Sequence, residues 1–142
     1  MGRSRRQSSC RTERGGDLMT QDVEDVVLLW LKGWLTDGWV PYTDKPKSSS
    51  TKPMPEKYIL IDRTGGPCEA MVLDRAEILI EVYHKTDKRA AKNMALTIGD
   101  KIIELEAVHN VEHAAVNSTV RLDDTLTQTY RYQVYCDVNY RR

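Results

Sequence analysis

The sequence has little of several features that mark familiar classes of protein. It has no surplus of charge, since 21 Lys and Arg residues match 21 Asp and Glu residues among 142. That balance argues against a protein whose main task is to neutralise nucleic-acid phosphates. The longest apolar run, Val26–Leu31, falls far short of the ~20 residues that cross a bilayer. No apolar core follows Met1, so we expect neither a membrane contact nor a secretory signal peptide.

Cysteine is also scarce. Cys10, Cys68 and Cys136 are widely spaced, odd in number and form no CxxC pair. This arrangement argues against a disulfide framework and against a structural zinc site, which needs closer pairs. Cys136 lies in an alternating apolar pattern, which predicts a buried thiol.

Residues 1–18 differ in composition from the rest of the chain. They hold five arginines against two carboxylates, Glu13 and Asp17, and almost no apolar side chain. Because such a segment cannot offset the entropy of folding, we expect a disordered basic leader. Met19 is a second possible start of translation, which would make the leader a start-site artefact. The functional alternative is that the basic leader is an arm that contacts nucleic acid. Residues 19–142 are then expected to form a single domain.

Hydrophobic periodicity predicts two helices. In the first, apolar residues recur at helical spacing over Val23–Trp34, Thr20 or Asp22 caps the start, and Gly38 ends the helix.

The second predicted helix spans Asp87–Glu106. Thr86 is its expected cap, and its apolar residues form one stripe with charged residues mostly outside it.

Alternating apolar residues predict the strands. They lie at Trp39–Tyr42, Tyr58–Arg63, Ala76–Tyr83, Val116–Leu122 and Tyr130–Tyr140. Pro41 restricts the first of these to a sheet edge. The segment Asp44–Pro55, rich in proline, serine and lysine, predicts a mobile surface loop too polar to pack. The order of elements favours an α+β fold in which one mainly antiparallel sheet has two helices packed on one face.

One motif is typical of metal hydrolases. His109, Glu112 and His113 match H-x-x-E-H, in which two histidines four apart on a helix bind zinc while the glutamate acts as the base. Asp123 or Asp124 would supply a third ligand. The second predicted helix ends before this motif, and short matches arise by chance, so we do not favour a zinc site.

A divalent-metal nuclease is a second enzyme hypothesis, because Asp74, Glu81 and Lys85 lie around one predicted strand. The lysine that such enzymes place two residues after the glutamate is Tyr83 in this chain. We favour the alternative that Glu77 and Glu81 form the solvated face of a sheet. The sequence therefore predicts no catalytic residues, no metal, no cofactor and no enzymatic activity.

Three motifs follow one another in the order seen in a known family. They are Ile59–Gly66 with its Arg-Thr-Gly-Gly turn, Val72–Tyr83 with its Asp-x-Ala strand, and the Ala-rich helix Arg89–Ile103. Together with the first helix and the Tyr-rich final strand, they resemble the tail terminator proteins of long-tailed, siphovirus-type bacteriophages, especially those that infect actinobacteria. The resemblance covers most of Val23–Arg142.

The resemblance implies a structural virion protein, located at the tail–neck junction and assembled in the host cytoplasm. Such proteins form a homohexameric ring that caps the completed tail tube, stops polymerisation and provides the head–tail joining surface. The implied partners are further copies of the chain, the tail tube protein and a head–tail connector or head-completion protein. DNA is expected to pass through the lumen without specific binding. Another neck protein, such as a head-closure protein, is the alternative function.

A ring needs heterologous contacts, in which one patch binds a different patch on the next copy. Interface cores favour Tyr, Trp and Arg. The candidate subunit or tube contacts are therefore Trp30, Trp34, Arg63, Thr64, Gly65, Gly66, Tyr130, Tyr132 and Tyr135. For the Arg-Thr-Gly-Gly segment, a simple hairpin turn is the alternative.

Overall fold

The protein folds as one five-stranded sheet with two helices, in a computed structural model that describes residues 22–66 and 73–141. The elements are α1 (Val23–Trp34), β1 (Pro41–Tyr42), β2 (Lys57–Gly65), β3 (Leu73–His84), α2 (Lys88–Lys101), a 3₁₀ helix (Ile102–Ala107), β4 (Val111–Arg121) and β5 (Tyr130–Arg141). The strand order is β1-β2-β3-β5-β4. β1 pairs with β2 in parallel, and the other neighbours are antiparallel. The predicted α+β class is confirmed.

Both helices pack on the same face of the sheet, because each strand directs alternate side chains towards that face. On β3 the inward residues are Ala76, Ile78, Ile80 and Val82, and on β5 they are Tyr132, Val134, Cys136, Val138 and Tyr140. The helices meet them with Val23, Val26, Val27 and Leu31 from α1 and with Ala91, Ala95 and Ile98 from α2. Burial of these apolar side chains from water stabilises the fold.

The first helix ends earlier than its glycine signal predicts. Leu35 is already extended, and its amide donates to the carbonyl of Leu31 over 2.9 Å, which closes α1 at Trp34. Gly38 lies beyond the helix in a turn with φ +83°, so it allows the turn rather than the helix end. At the other end, the Asp22 carbonyl accepts the first helical hydrogen bonds, and Thr20 lies outside the described residues.

The second helix is shorter than predicted and has a different cap. The Asp87 carboxylate accepts a hydrogen bond from the Ala90 amide over 3.0 Å, whereas the Thr86 hydroxyl donates to the Glu56 carboxylate over 3.2 Å. After Lys101 the chain tightens into the 3₁₀ helix, a common way for an α-helix to end.

The predicted strands are present with altered bounds. β2 continues through a bulge to Gly65, β4 begins at Val111 rather than Val116, and β5 matches the predicted final strand to one residue. The edge position predicted for the strand at Pro41 is confirmed. The basic leader 1–18 and Met19 lie outside the described residues, and no helix within the described part of the chain is long and apolar enough to cross a membrane.

Candidate functional site

The sheet face opposite the helices carries a buried polar cluster, formed by Glu81, Tyr83, Arg131 and Gln133. Gln133 Nε2 donates to Glu81 Oε2 over 2.9 Å, and the Tyr83 hydroxyl donates to Glu81 Oε1 over 3.4 Å. The Arg131 guanidinium lies 3.4 Å from both the Glu81 carboxylate and the Tyr83 hydroxyl. Glu81 is only 8% exposed, so the prediction that it lies on a solvated face is wrong. Its neighbour on that face, Glu77, is exposed as predicted.

Aromatic rings extend the polar cluster towards β1. The Tyr58 and Tyr83 rings stack with centroids 4.5 Å apart, and Tyr42 meets Tyr58 edge-on at 6.1 Å. From the proline-rich loop, Lys45 places its Nζ 5.7 Å from the Tyr83 ring centroid and 3.4 Å from an Asp124 carboxylate oxygen. The prediction that this loop is too polar to pack is therefore wrong at Lys45, whose ammonium contacts both an aromatic ring and a carboxylate.

Burial controls the ionisation of this region. It raises the pKa of Tyr58 and of Tyr83, and nearby carboxylates add to the effect, so both phenols ionise only at a higher pH than an exposed tyrosine. For Asp124, burial opposes ionisation, but hydrogen bonds from Thr127 and from the Leu126 amide outweigh it and lower the pKa. The Tyr83 hydroxyl is a donor to Glu81 within β3, and the ionised Asp124 carboxylate pairs with Lys45 of the loop between β1 and β2.

The residues of the nuclease hypothesis do not come together. Asp74 and Glu81 are an odd number of positions apart on β3, so their side chains lie on opposite faces of the sheet. Asp74 binds Arg63 on the helix side, and Lys85 is exposed beyond the end of the strand.

The H-x-x-E-H segment forms a turn followed by the start of β4, not a helix. His109 precedes Asn110, which has φ +73°, and β4 begins at the next residue. Glu112 pairs with Arg141, and His113 Nδ1 lies 3.4 Å from Glu106. Within residues 22–66 and 73–141, no three Cys, His, Asp or Glu side chains are grouped as a metal site would require.

The Arg-Thr-Gly-Gly segment and the Asp-x-Ala strand are joined by a two-pronged ion pair. Arg63 Nη1 and Nη2 each donate to one Asp74 carboxylate oxygen over 2.7 Å. The same guanidinium donates to the carbonyls of Gly65 and Gly66 over 3.1 and 3.0 Å. The Thr64 hydroxyl lies 3.4 Å from the Glu77 carbonyl. Arg63 to Gly65 thus end strand β2, and Gly66 begins the connection to β3.

The aromatic candidates are spread over the molecule. Trp30 and Trp34 meet edge-on at 5.5 Å on α1, and the Lys101 ammonium lies 5.1 Å from the Trp34 ring centroid. Trp34 Nε1 is buried and has no acceptor within the described part of the chain.

The three tyrosines of β5 differ in their surroundings. Tyr132 is buried among the protein's own core residues, whereas Tyr130 is half-buried with the Arg121 guanidinium 5.8 Å from its ring. Tyr135 points to the helix-free face and donates to Gln133 Oε1 over 3.3 Å. Among these three, Tyr130 and Tyr135 keep partial exposure.

Exposed apolar side chains concentrate at one place that the sequence reasoning missed. We call Val120, Leu122 and Leu126 the apolar hairpin tip, because they end β4 and occupy the β4–β5 loop; Leu126 is 94% exposed. The loop is ordered by its own hydrogen bonds, since the Asp124 and Thr129 backbones pair with each other and the Leu126 amide donates to the Asp124 side chain over 3.1 Å. The sequence does carry a signal for this surface, since leucines flank the Asp-Asp-Thr turn and residues beside a turn are usually exposed.

Comparison with known proteins leaves the family open. No protein-family model matches the sequence, and no curated protein sequence matches it.

Proposed function

We propose that the chain is a structural subunit of a phage tail, a tail terminator that forms a hexameric ring, caps the completed tube and offers the surface that joins the head. The motifs Ile59–Gly66, Val72–Tyr83 and Arg89–Ile103 support the family, and the α+β fold agrees with it. The proposed role is mechanical rather than catalytic.

The observation that carries an assembly role is the apolar hairpin tip. Single exposed leucines are ordinary on protein surfaces, whereas a concentration of them marks a contact with another protein. Three of the eight exposed large apolar residues in the described part of the chain, Val120, Leu122 and Leu126, lie at this tip. Hydrogen bonds within the loop hold the backbone that carries Leu126, which lowers the entropy cost of binding.

Deletion of the gene in the phage that encodes it tests the proposal. Electron microscopy should then show tails of irregular length, or tails without heads, and the wild-type gene supplied in trans should restore normal particles. Tails of normal length that join heads without the protein would overturn the proposal.

A variant of the apolar hairpin tip tests the surface. Leu122→Asp with Leu126→Asp should fold normally but fail to restore tails, because the charges prevent burial against a partner. Leu96→Asp, which changes an equally apolar exposed residue on α2, is the matched control and should restore them. Full restoration by the tip variant would contradict the assignment of this surface.

Two rival functions give different results in the same system. A head-closure protein would bind purified head connectors rather than purified tail tubes. A metal hydrolase would lose its function when His109 and His113 are both replaced by alanine, whereas we expect that variant to support normal tails.

A further inference from the structure

The first turns of α2 carry positive charge with no acidic residue among them. From Lys88 to Gly99 the sequence holds three cations, Lys88, Arg89 and Lys92, and no aspartate or glutamate. The chain as a whole is neutral, so charge of one sign is concentrated at this helix. At 3.6 residues per turn the three side chains fall within about 100° of the helix circumference. We call these three residues the basic face of α2.

The basic face is open to solvent. All three cations are exposed, and none forms an ion pair with any described residue. The Asp123 carboxylate lies within electrostatic range of Lys88, but Arg121 already binds it over 2.7 Å. The Asp87 carboxylate, which precedes the helix, accepts a hydrogen bond from the Ala90 amide over 3.0 Å. The nearby acids are therefore engaged elsewhere.

Helix stability does not explain the basic face. The backbone dipoles make the start of a helix positive, so cations in its first turns are unfavourable and carboxylates are favourable. The helix α1 follows this rule with Glu24 and Asp25 in its first turn, whereas α2 has no acidic residue there. Like charges four positions apart, as at Lys88 and Lys92, also destabilise a helix. An anion from outside the chain would relieve both effects.

The residue types favour phosphates over an acidic protein surface. Lysine is depleted in protein interfaces, whose cores rely on aromatic and apolar residues. Lysine, arginine and asparagine side chains are common partners of nucleic-acid phosphates, and Asn93, which is also exposed, follows Lys92 directly. Double-stranded DNA carries one negative charge per ~1.7 Å of its axis, a density that suits adjacent cations on one helix.

We propose that the basic face of α2 binds the phosphate backbone of double-stranded DNA without contacting the base edges. Three phosphate contacts give weak binding that depends strongly on salt, which agrees with a neutral chain whose main task lies elsewhere. The inference goes beyond the proposed function and does not depend on it, because it concerns only this chain and DNA.

Fluorescence anisotropy of a labelled DNA duplex, measured with the purified full chain over a range of salt concentrations, tests the contact. K88Q with R89Q and K92Q removes three charges and keeps side chains of similar helix propensity. Its affinity for the duplex at low salt should fall at least ~10-fold. The slope of log affinity against log salt concentration should become shallower by about 3, and a duplex of different sequence should give the same result.

Two further variants are the controls. K32Q with K47Q and K52Q also removes three exposed cations, which are spread over α1 and the loop after β1, and should keep the wild-type affinity and slope. Residues 1–18 hold five arginines that also attract DNA, so a second set of proteins has these replaced by glutamine. The loss of slope on changing α2 should be the same in that set. Circular dichroism verifies that each variant is folded.

The other outcomes count against the contact. A wild-type protein that does not bind the duplex at low salt, or K88Q with R89Q and K92Q that keeps the wild-type slope, would overturn the proposal. Salt dependence that disappears only when the arginines of residues 1–18 are replaced would assign DNA binding to that segment. Displacement of the duplex by poly-glutamate at equal charge concentration would show that the basic face takes an acidic protein instead.

The result is independent of the phage experiment. If α2 binds DNA as expected but the phage makes normal tails without the gene, the DNA contact stands and the tail terminator function falls. If the gene is needed for normal tails but the slope does not change, the function stands and the DNA contact falls.

Discussion

Replacing Gly66 with alanine is expected to destabilise the corner between β2 and β3. Gly66 has φ +99°, and a Cβ there would lie 2.0 Å from the carbonyl oxygen of Arg75 and 3.0 Å from Ala76 Cα. The corner cannot shift easily, because the Arg63 guanidinium holds both the Gly66 carbonyl and the Asp74 carboxylate.

The cost of this substitution has two parts. A left-handed backbone at a residue with a side chain costs ~1–2 kcal/mol, and forcing β3 to move away from the new atom costs a further ~1–3 kcal/mol. The free energy of unfolding should fall by roughly 2–5 kcal/mol, which for a domain of this size lowers Tm by roughly 8–20 °C.

Gly33 provides the matched control. It lies in α1, and an added Cβ there would meet nothing within 4 Å, so alanine should stabilise the helix by ~1 kcal/mol. Thermal and urea unfolding followed by circular dichroism measure both variants. If Gly66→Ala and the wild type unfold at the same midpoint, the corner does not depend on glycine and the reasoning fails.

Two further predictions concern buried groups. Glu81→Ala should lower the free energy of unfolding by ~2–3 kcal/mol, because the polar cluster loses its shared acceptor. Glu77→Ala on the same face is the control and should change the free energy of unfolding by less than ~0.5 kcal/mol. Equal effects of the two substitutions in urea unfolding would contradict this prediction. Burial raises the pKa of the Cys136 thiol from 9.0 to about 12. Stability should therefore fall as the pH rises from about 9 to about 12, since the unfolded thiol ionises first. With Cys10 and Cys68 replaced by serine, labelling of Cys136 by iodoacetamide at pH 8 should require unfolding, and rapid labelling of the folded protein would count against burial.

Local periodicity was sufficient to predict the elements that face the core. The series Ala76, Ile78, Ile80 and Val82 has a period of two, and such a pattern permits burial only if one face of the strand is covered. The helix ends were harder to predict, because the change to a 3₁₀ helix after Lys101 depends on packing rather than on a Gly or Pro signal.

The candidate site depends on contacts between distant parts of the sequence. The local sequence predicts that Glu81 is a solvated strand residue. Only the pairing of β3 with β5 places Gln133, 52 positions away, against it. Arg63 and Asp74 lie in two separate motifs, and only the hairpin reveals that they bind each other. The exposure of Leu126 likewise follows from the loop that carries it, not from its own residue type.

The Lys45–Asp124 ion pair ties the connection after β1 to the connection after β4, although these strands are at opposite sides of the sheet. The pair is partly exposed, so dissolved ions weaken it, while the apolar core is scarcely affected by them. Raising the ionic strength should therefore release Lys45 from Asp124 and from the Tyr83 ring, and so free the two connections from each other, while the sheet and its apolar core stay intact.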